Sequence, residues 1–117
     1  MPRRLEKVIE DYAVRWARNN GILVFKLNLW GNNGWPDRAF MYNGKCVFIE
    51  FKRPGEKAEP LQDHHHRLLR AHSFEVYVCD DKQLATAILE ASLLSGGSCA
   101  TDDQSSGGGA TARPRAR

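Results

Sequence analysis

Residues 37–52 read DRAFMYNGKCVFIEFK: two runs, 37–42 and 45–52, on either side of Asn43-Gly44. Asn-Gly tolerates positive φ at both positions, so it favours a two-residue type I′ turn and makes the stretch a β-hairpin. With Asn43 and Gly44 as the turn, Tyr42 faces Lys45 and, counting back along both strands, Asp37 faces Glu50. Directly opposed residues hold their Cβ atoms about 5 Å apart. Strand side chains alternate, so Lys52 shares the face of Glu50. The second run is apolar on both faces at Cys46-Val47-Phe48-Ile49. That pattern marks a central strand, and its charged end then lies where a cleft can form.

Before the hairpin, Leu5, Val8, Ile9, Tyr12 and Trp16 recur at helical period, predicting a helix over 4–19 that Asn19-Asn20-Gly21 stops. Residues 22–29 read as a strand, and WGNNGW at 30–35 as a loop leading to Pro36. After the hairpin, RPGEKA at 53–58 is a loop. Pro60 then suits the first position of a second helix whose apolar stripe is Leu61, His65, Leu68, Leu69 and His72. On that stripe His65 sits at the core's edge, and His64 and His66 belong to a solvated face. Three consecutive histidines on a helix point about 100° apart and cannot converge on a metal. Residues 74–79 read as a strand, and Asp80 or Asp81 caps a last helix to about Leu94. The order α-β-β-β-α-β-α places the chain in the α/β class, a mixed sheet flanked by helices.

This domain spans residues 1–94. From Ser95 to Arg117 there is no Val, Ile, Leu, Met, Phe, Trp or Tyr, and five of the ten glycines lie there. Such a segment cannot offset its ordering entropy by burial, so a disordered, Gly/Ser-rich, Arg-ending tail is expected. The formal net charge of +3 is compatible with a nucleic-acid partner without arguing for one. No apolar run approaches the roughly 20 residues of a membrane span, and the start of the chain lacks a signal-peptide core. Cys46, Cys79 and Cys99 are odd in number and never spaced as C-x-x-C, which disfavours a disulfide scaffold or zinc finger and makes the cytoplasm the expected compartment.

Two carboxylates directly opposed repel and ask for a compensating partner. A hard divalent cation such as Mg²⁺, which takes oxygen ligands from one or two carboxylates, water and phosphate, is the natural one. Lys52 cannot ligate as an ammonium, but it can hold a water or the negative charge of a phosphate. An E-x-K triplet by itself is often an ordinary neighbour pair; three charges on one face of a central strand are harder to dismiss.

Gly34-Trp35-Pro36-Asp37-Arg38, then Phe48-Ile49-Glu50-Phe51-Lys52, then Gln62, resemble the PD-(D/E)XK nuclease superfamily, and within it the small stand-alone VRR-NUC family of phages and bacteria. The resemblance runs from about Leu5 to Val78. It implies a restriction-endonuclease-like fold and a Mg²⁺-dependent DNA endonuclease, with Mn²⁺ as a substitute. Asp37, Glu50, the backbone carbonyl of Phe51 and Glu10 would surround the metal, Glu6 being the competitor of Glu10 on the first helix. Lys52 would orient the attacking water, and Gln62 would hydrogen-bond within the site. The resemblance further implies a homodimer acting on branched DNA, such as a Holliday junction or flap, leaving 5′-phosphates. Ser73 stands where relatives commonly carry glycine.

Lys26, Arg53 and Lys57 are candidates for phosphate contact or for plain solvated charge; Arg38, alternating to the face opposite Asp37, suits packing or a salt bridge. Trp30 and Trp35 anchor the loop between them to the core or stack on a base. From the sequence, a non-catalytic nucleic-acid-binding module and a ribonuclease stand as the competing functions.

Overall fold

The computed structural model describes residues 4–27 and 34–94. The tail after Leu94, Trp30 and the last two residues, 28 and 29, of the expected 22–29 strand lie outside them. Helix α1 (Leu5–Asn19) is followed by strands β1 (Leu23–Lys26), β2 (Arg38–Tyr42) and β3 (Lys45–Phe51). Helix α2 (Pro60–Ala71), strand β4 (Glu75–Cys79) and helix α3 (Lys82–Leu89) complete the chain, and a π-helical turn carries α3 on to Leu94. The sheet order is β1-β2-β3-β4, antiparallel except for the parallel β3–β4 pair that α2 bridges. β3 is therefore central, as its two-sided apolar pattern requires.

The hairpin forms in the expected register, from Tyr42↔Lys45 to Arg38↔Ile49. Its turn has φ of 53° at Asn43 and 82° at Gly44, the two positive values of type I′. One face of the sheet carries Phe40, Val47, Ile49 and Phe51 into a core with Ile9, Ala13, Ala17, Ala85 and Leu89 of α1 and α3. The other face carries Phe48 and Glu50 towards α2; Phe48 meets the ring of Phe74 edge-on at 5.5 Å.

Both outer helices are rotated from the expected stripes. Leu5 and Tyr12 of α1 are exposed, and Ala13 and Ala17 are fully buried instead. Small side chains there let α1 lie close against α3. In α2, Leu61, Leu68 and His72 are exposed, whereas His66, expected on a solvated face, is 1% exposed. The helix presents the 62–66–69 row to the sheet because Gln62 has a polar partner there. Asp81 provides the cap of α3, accepting from the N–H of Leu84 at 2.9 Å. Cys46 and Cys79 are free, and burial pushes the Cys79 thiol up to about 12. Among the described residues no helix is long and apolar enough to cross a membrane.

Both α1 and α2 end in a Schellman motif. Ile22 N–H donates to Ala17 and Gly21 N–H to Arg18; Phe74 N–H donates to Leu69 and Ser73 N–H to Arg70. The motif needs a left-handed residue just past the helix. Gly21 takes φ of 78° freely, but Ser73 holds φ of 70° against its own Cβ. Ser73→Gly is expected to stabilise the fold by about 0.5–1 kcal/mol. In a urea titration this appears as a higher midpoint with an unchanged slope.

Candidate active site

Asp37 lies one residue before β2, just beyond the ladder's last pair, Arg38↔Ile49. Its carbonyl accepts from Leu27 N–H at 3.0 Å, and its Oδ2 accepts from Phe51 N–H at 2.8 Å. The carboxylate is thus pinned across the end of β3. Lys52 continues that strand by one residue, its N–H donating to Cys79 at 2.9 Å. Its ammonium stands 3.8 Å from Glu50 Oε2, and both side chains are buried.

Gln62 closes the site from α2. Its Nε2 donates to Glu50 Oε2 at 2.9 Å, and its Oε1 accepts from Glu59 N–H at 2.9 Å. The second contact is half of the capping box that starts α2. An amide is the side chain that can accept from a helix's first N–H while donating to a carboxylate. Helix start and acidic site are therefore one piece of local structure.

Glu50 is 4% exposed, and its Oε1 has no hydrogen-bond partner. Burial, and after it the Asp37 carboxylate, push its pKa up to about 8, the pull of Lys52 notwithstanding. A buried, orphaned carboxylate oxygen facing a second carboxylate fits a hard cation with oxygen ligands. Among the described residues no three His, Cys, Asp or Glu side chains form a ready-made metal cage. Glu10, also buried, is engaged by cations: Arg38 Nε donates to its Oε2 at 2.6 Å, and Lys7 Nζ is 3.8 Å from its Oε1. Asp37 and Glu50 remain as the two-carboxylate set that Mg²⁺ commonly takes.

A cleft of about 680 Å³ gathers Glu6, Glu10, Asp37, Glu50, Phe51 and Lys52. Glu6 is held by Arg53 at 3.6 Å and Arg4 at 3.9 Å. Lys26, exposed opposite Arg38 at the end of β1, and Lys57, exposed in the loop before α2, do not line the cleft. Trp35 stacks flat on His65, centroids 4.1 Å apart, and so anchors its loop to α2. Gly34 holds φ of 87° against that helix; a Cβ there would sit 2.5 Å from His65 Nδ1. His66, one turn beyond Gln62, keeps its Nε2 without a partner, and burial lowers its pKa. The Gln62–His66 spacing of four residues was the available signal that both share a face.

No family model matches the chain. It is 37% identical over 84 residues, 71% of its own length and 90% of the relative's, to "Putative nuclease p44" of Acyrthosiphon pisum secondary endosymbiont phage 1. A solved structure titled "VRR_NUC domain" superposes with a TM-score of 0.68 and 27% identity, covering 75% of this chain and 97% of that one. The chain belongs to the VRR-NUC family. VRR-NUC proteins are nucleases, so the coarse class is a hydrolase of phosphodiester bonds, and the mixed sheet with flanking helices is the family's fold.

Proposed function

We propose that this VRR-NUC protein is a Mg²⁺-dependent DNA endonuclease, with Mn²⁺ able to substitute, that acts as a homodimer on branched DNA such as a Holliday junction or flap. The observation that supports the metal most directly is Glu50: buried, one oxygen orphaned, and protonated at neutral pH unless a cation takes the proton's place. Asp37 and Glu50, with the Phe51 carbonyl at the end of β3, would hold the cation. When bound, it activates water and offsets charge on the scissile phosphate. Lys52 Nζ would donate to the attacking water or to a non-bridging phosphate oxygen. Gln62 fixes the Glu50 carboxylate, and Glu10 borders the site, holding Arg38. Lys26, Arg53 and Lys57 offer positive charge to flanking phosphates. The preference for branched DNA and the pairing of two copies rest on the family resemblance.

Cleavage of labelled four-way junction, flap, single-stranded and linear duplex DNA, and of labelled RNA, tests this reading, with Mg²⁺, Mn²⁺ or EDTA. Cuts are expected with either metal and none with EDTA or with Lys52→Ala. Gln62→Ala should be slower by roughly 10–100-fold, the usual cost of removing a partner that orients a metal ligand. Binding without cuts on any substrate would make the protein a binding module, and cuts confined to RNA a ribonuclease.

A further inference from the structure

Beside the cleft, on the far side of Arg38, α1 and the start of β2 enclose a second groove lined by Asp11, Val14, Arg15, Arg18, Asn19 and Arg38. Residues 7, 11, 15 and 18 follow one another at helical spacing, so Lys7 in the cleft and Arg15 and Arg18 in the groove lie along one ridge of α1. Arg38 is the wall between the two spaces: it lines the groove and donates to Glu10, which lines the cleft. Asp11, the one acid of the groove, is held by Lys7 at 3.5 Å. Arg15 and Arg18 are exposed, and among the described residues no ion pair engages either. A helix-end arginine such as Arg18 also favours the helix dipole, but that gives no reason for Arg15, a turn earlier, to share the same recess.

We propose that this groove is a phosphate track, which holds the backbone of the nucleic-acid strand running away from the cleft. The proposal rests on the nuclease reading and names where the flanking strand lies. Helix rise places Arg15 about 7.5 Å and Arg18 about 12 Å beyond Glu10 along α1. At about 3.4 Å of duplex axis per nucleotide, both arginines lie within a few nucleotides of the cleft. Guanidinium forks fit phosphate oxygens in pairs, and the Asn19 amide adds a neutral donor. The track reads no base, so it grips any sequence.

The test is the salt dependence of DNA binding, measured by fluorescence anisotropy on a labelled duplex in EDTA between 50 and 200 mM KCl. Arg15→Gln/Arg18→Gln is compared with Arg67→Gln/Lys82→Gln, which removes equal charge from α2 and α3. Losing two phosphate contacts lowers the slope of log K against log salt by about 1.8. Over that fourfold salt range, wild-type affinity should then fall about twelvefold more than that of the Arg15/Arg18 variant. The Arg67/Lys82 pair should keep the wild-type slope, and circular dichroism should show wild-type helix content in both variants. Equal slopes for all three proteins, an equal drop in both variants, or no DNA binding by wild type would each overturn the track. Binding is read without catalysis, so a failed cleavage assay alongside the expected slopes would sink the nuclease reading alone. Cleavage with unchanged slopes would sink the track alone.

Discussion

Glu50→Gln is expected to give a protein that is more stable at pH 8 without divalent cations, yet cleaves at least about 10³-fold more slowly. Burial and the Asp37 carboxylate raise the Glu50 pKa from an ordinary 4.5 to about 8. Between those values the folded protein holds a proton that the unfolded chain has released. The folded state then binds more protons than the unfolded one, so stability falls as pH rises through this window. The contribution is fully present below about pH 4.5 and lost above about pH 8, a span of roughly 5 kcal/mol. Glutamine has no charge to desolvate. The variant should therefore exceed wild type by up to that amount at pH 8 and by little at pH 4.5, when guanidinium unfolding is compared in EDTA. Equal pH slopes for the two proteins would show that Glu50 is not held as described.

On the proposed metal reading, the same substitution removes an anionic ligand, and losing a metal's charge stabilisation would forfeit several kcal/mol of barrier, hence the 10³-fold loss. Millimolar Mg²⁺ should raise the wild-type midpoint at pH 8 by mass action and leave the Glu50→Gln midpoint in place. Stability traded against activity at one side chain is the expected mark of a charge kept for function.

The hairpin register from Tyr42↔Lys45 to Arg38↔Ile49 was legible in the sequence because a single local fact carries it: Asn43-Gly44 admits few turn geometries, and a period of two then propagates the register over five pairs. The place of Lys52 beside Glu50 followed from strand alternation, and Gln62 followed from the family motif. The rotation of α2 was not legible. By composition Leu61 and Leu68 outweigh His66, yet the helix turns by the preference of one amide for a buried carboxylate, a long-range contact with no local signal. The helix α1 misled in the same way, since its leucine and tyrosine advertised a stripe that packing gave to Ala13 and Ala17. The partnership of Glu10 with Arg38, 28 residues apart, was equally invisible along the chain. Alternation alone placed Arg38 opposite Asp37, without saying what waited there.

That partnership carries the other large effect. Arg38→Ala is expected to destabilise the fold by about 3 kcal/mol, because it strands a nearly buried carboxylate. Arg38 and Glu10 meet at 2.6 Å with both side chains 12% exposed, and the remaining partner, Lys7, is 3.8 Å away and itself 41% exposed. Most of the cost is the uncompensated charge and not the lost contact, so Glu10→Gln added to Arg38→Ala should recover a large part of it. A double-mutant cycle by chemical denaturation reads this as a coupling energy, and a double variant no more stable than Arg38→Ala would refute it. Activity then separates the two roles open to Glu10. As a member of the metal shell, Glu10 would be missed in the Glu10→Gln single variant, which should raise the Mg²⁺ concentration for half-maximal cleavage. As an anchor for Arg38 alone, its loss should leave that concentration unchanged and weaken substrate binding instead. Asp37 and Arg38, adjacent in sequence, join the two outcomes: one turns to the end of β3 in the cleft, and the other ties the wall of that cleft to α1.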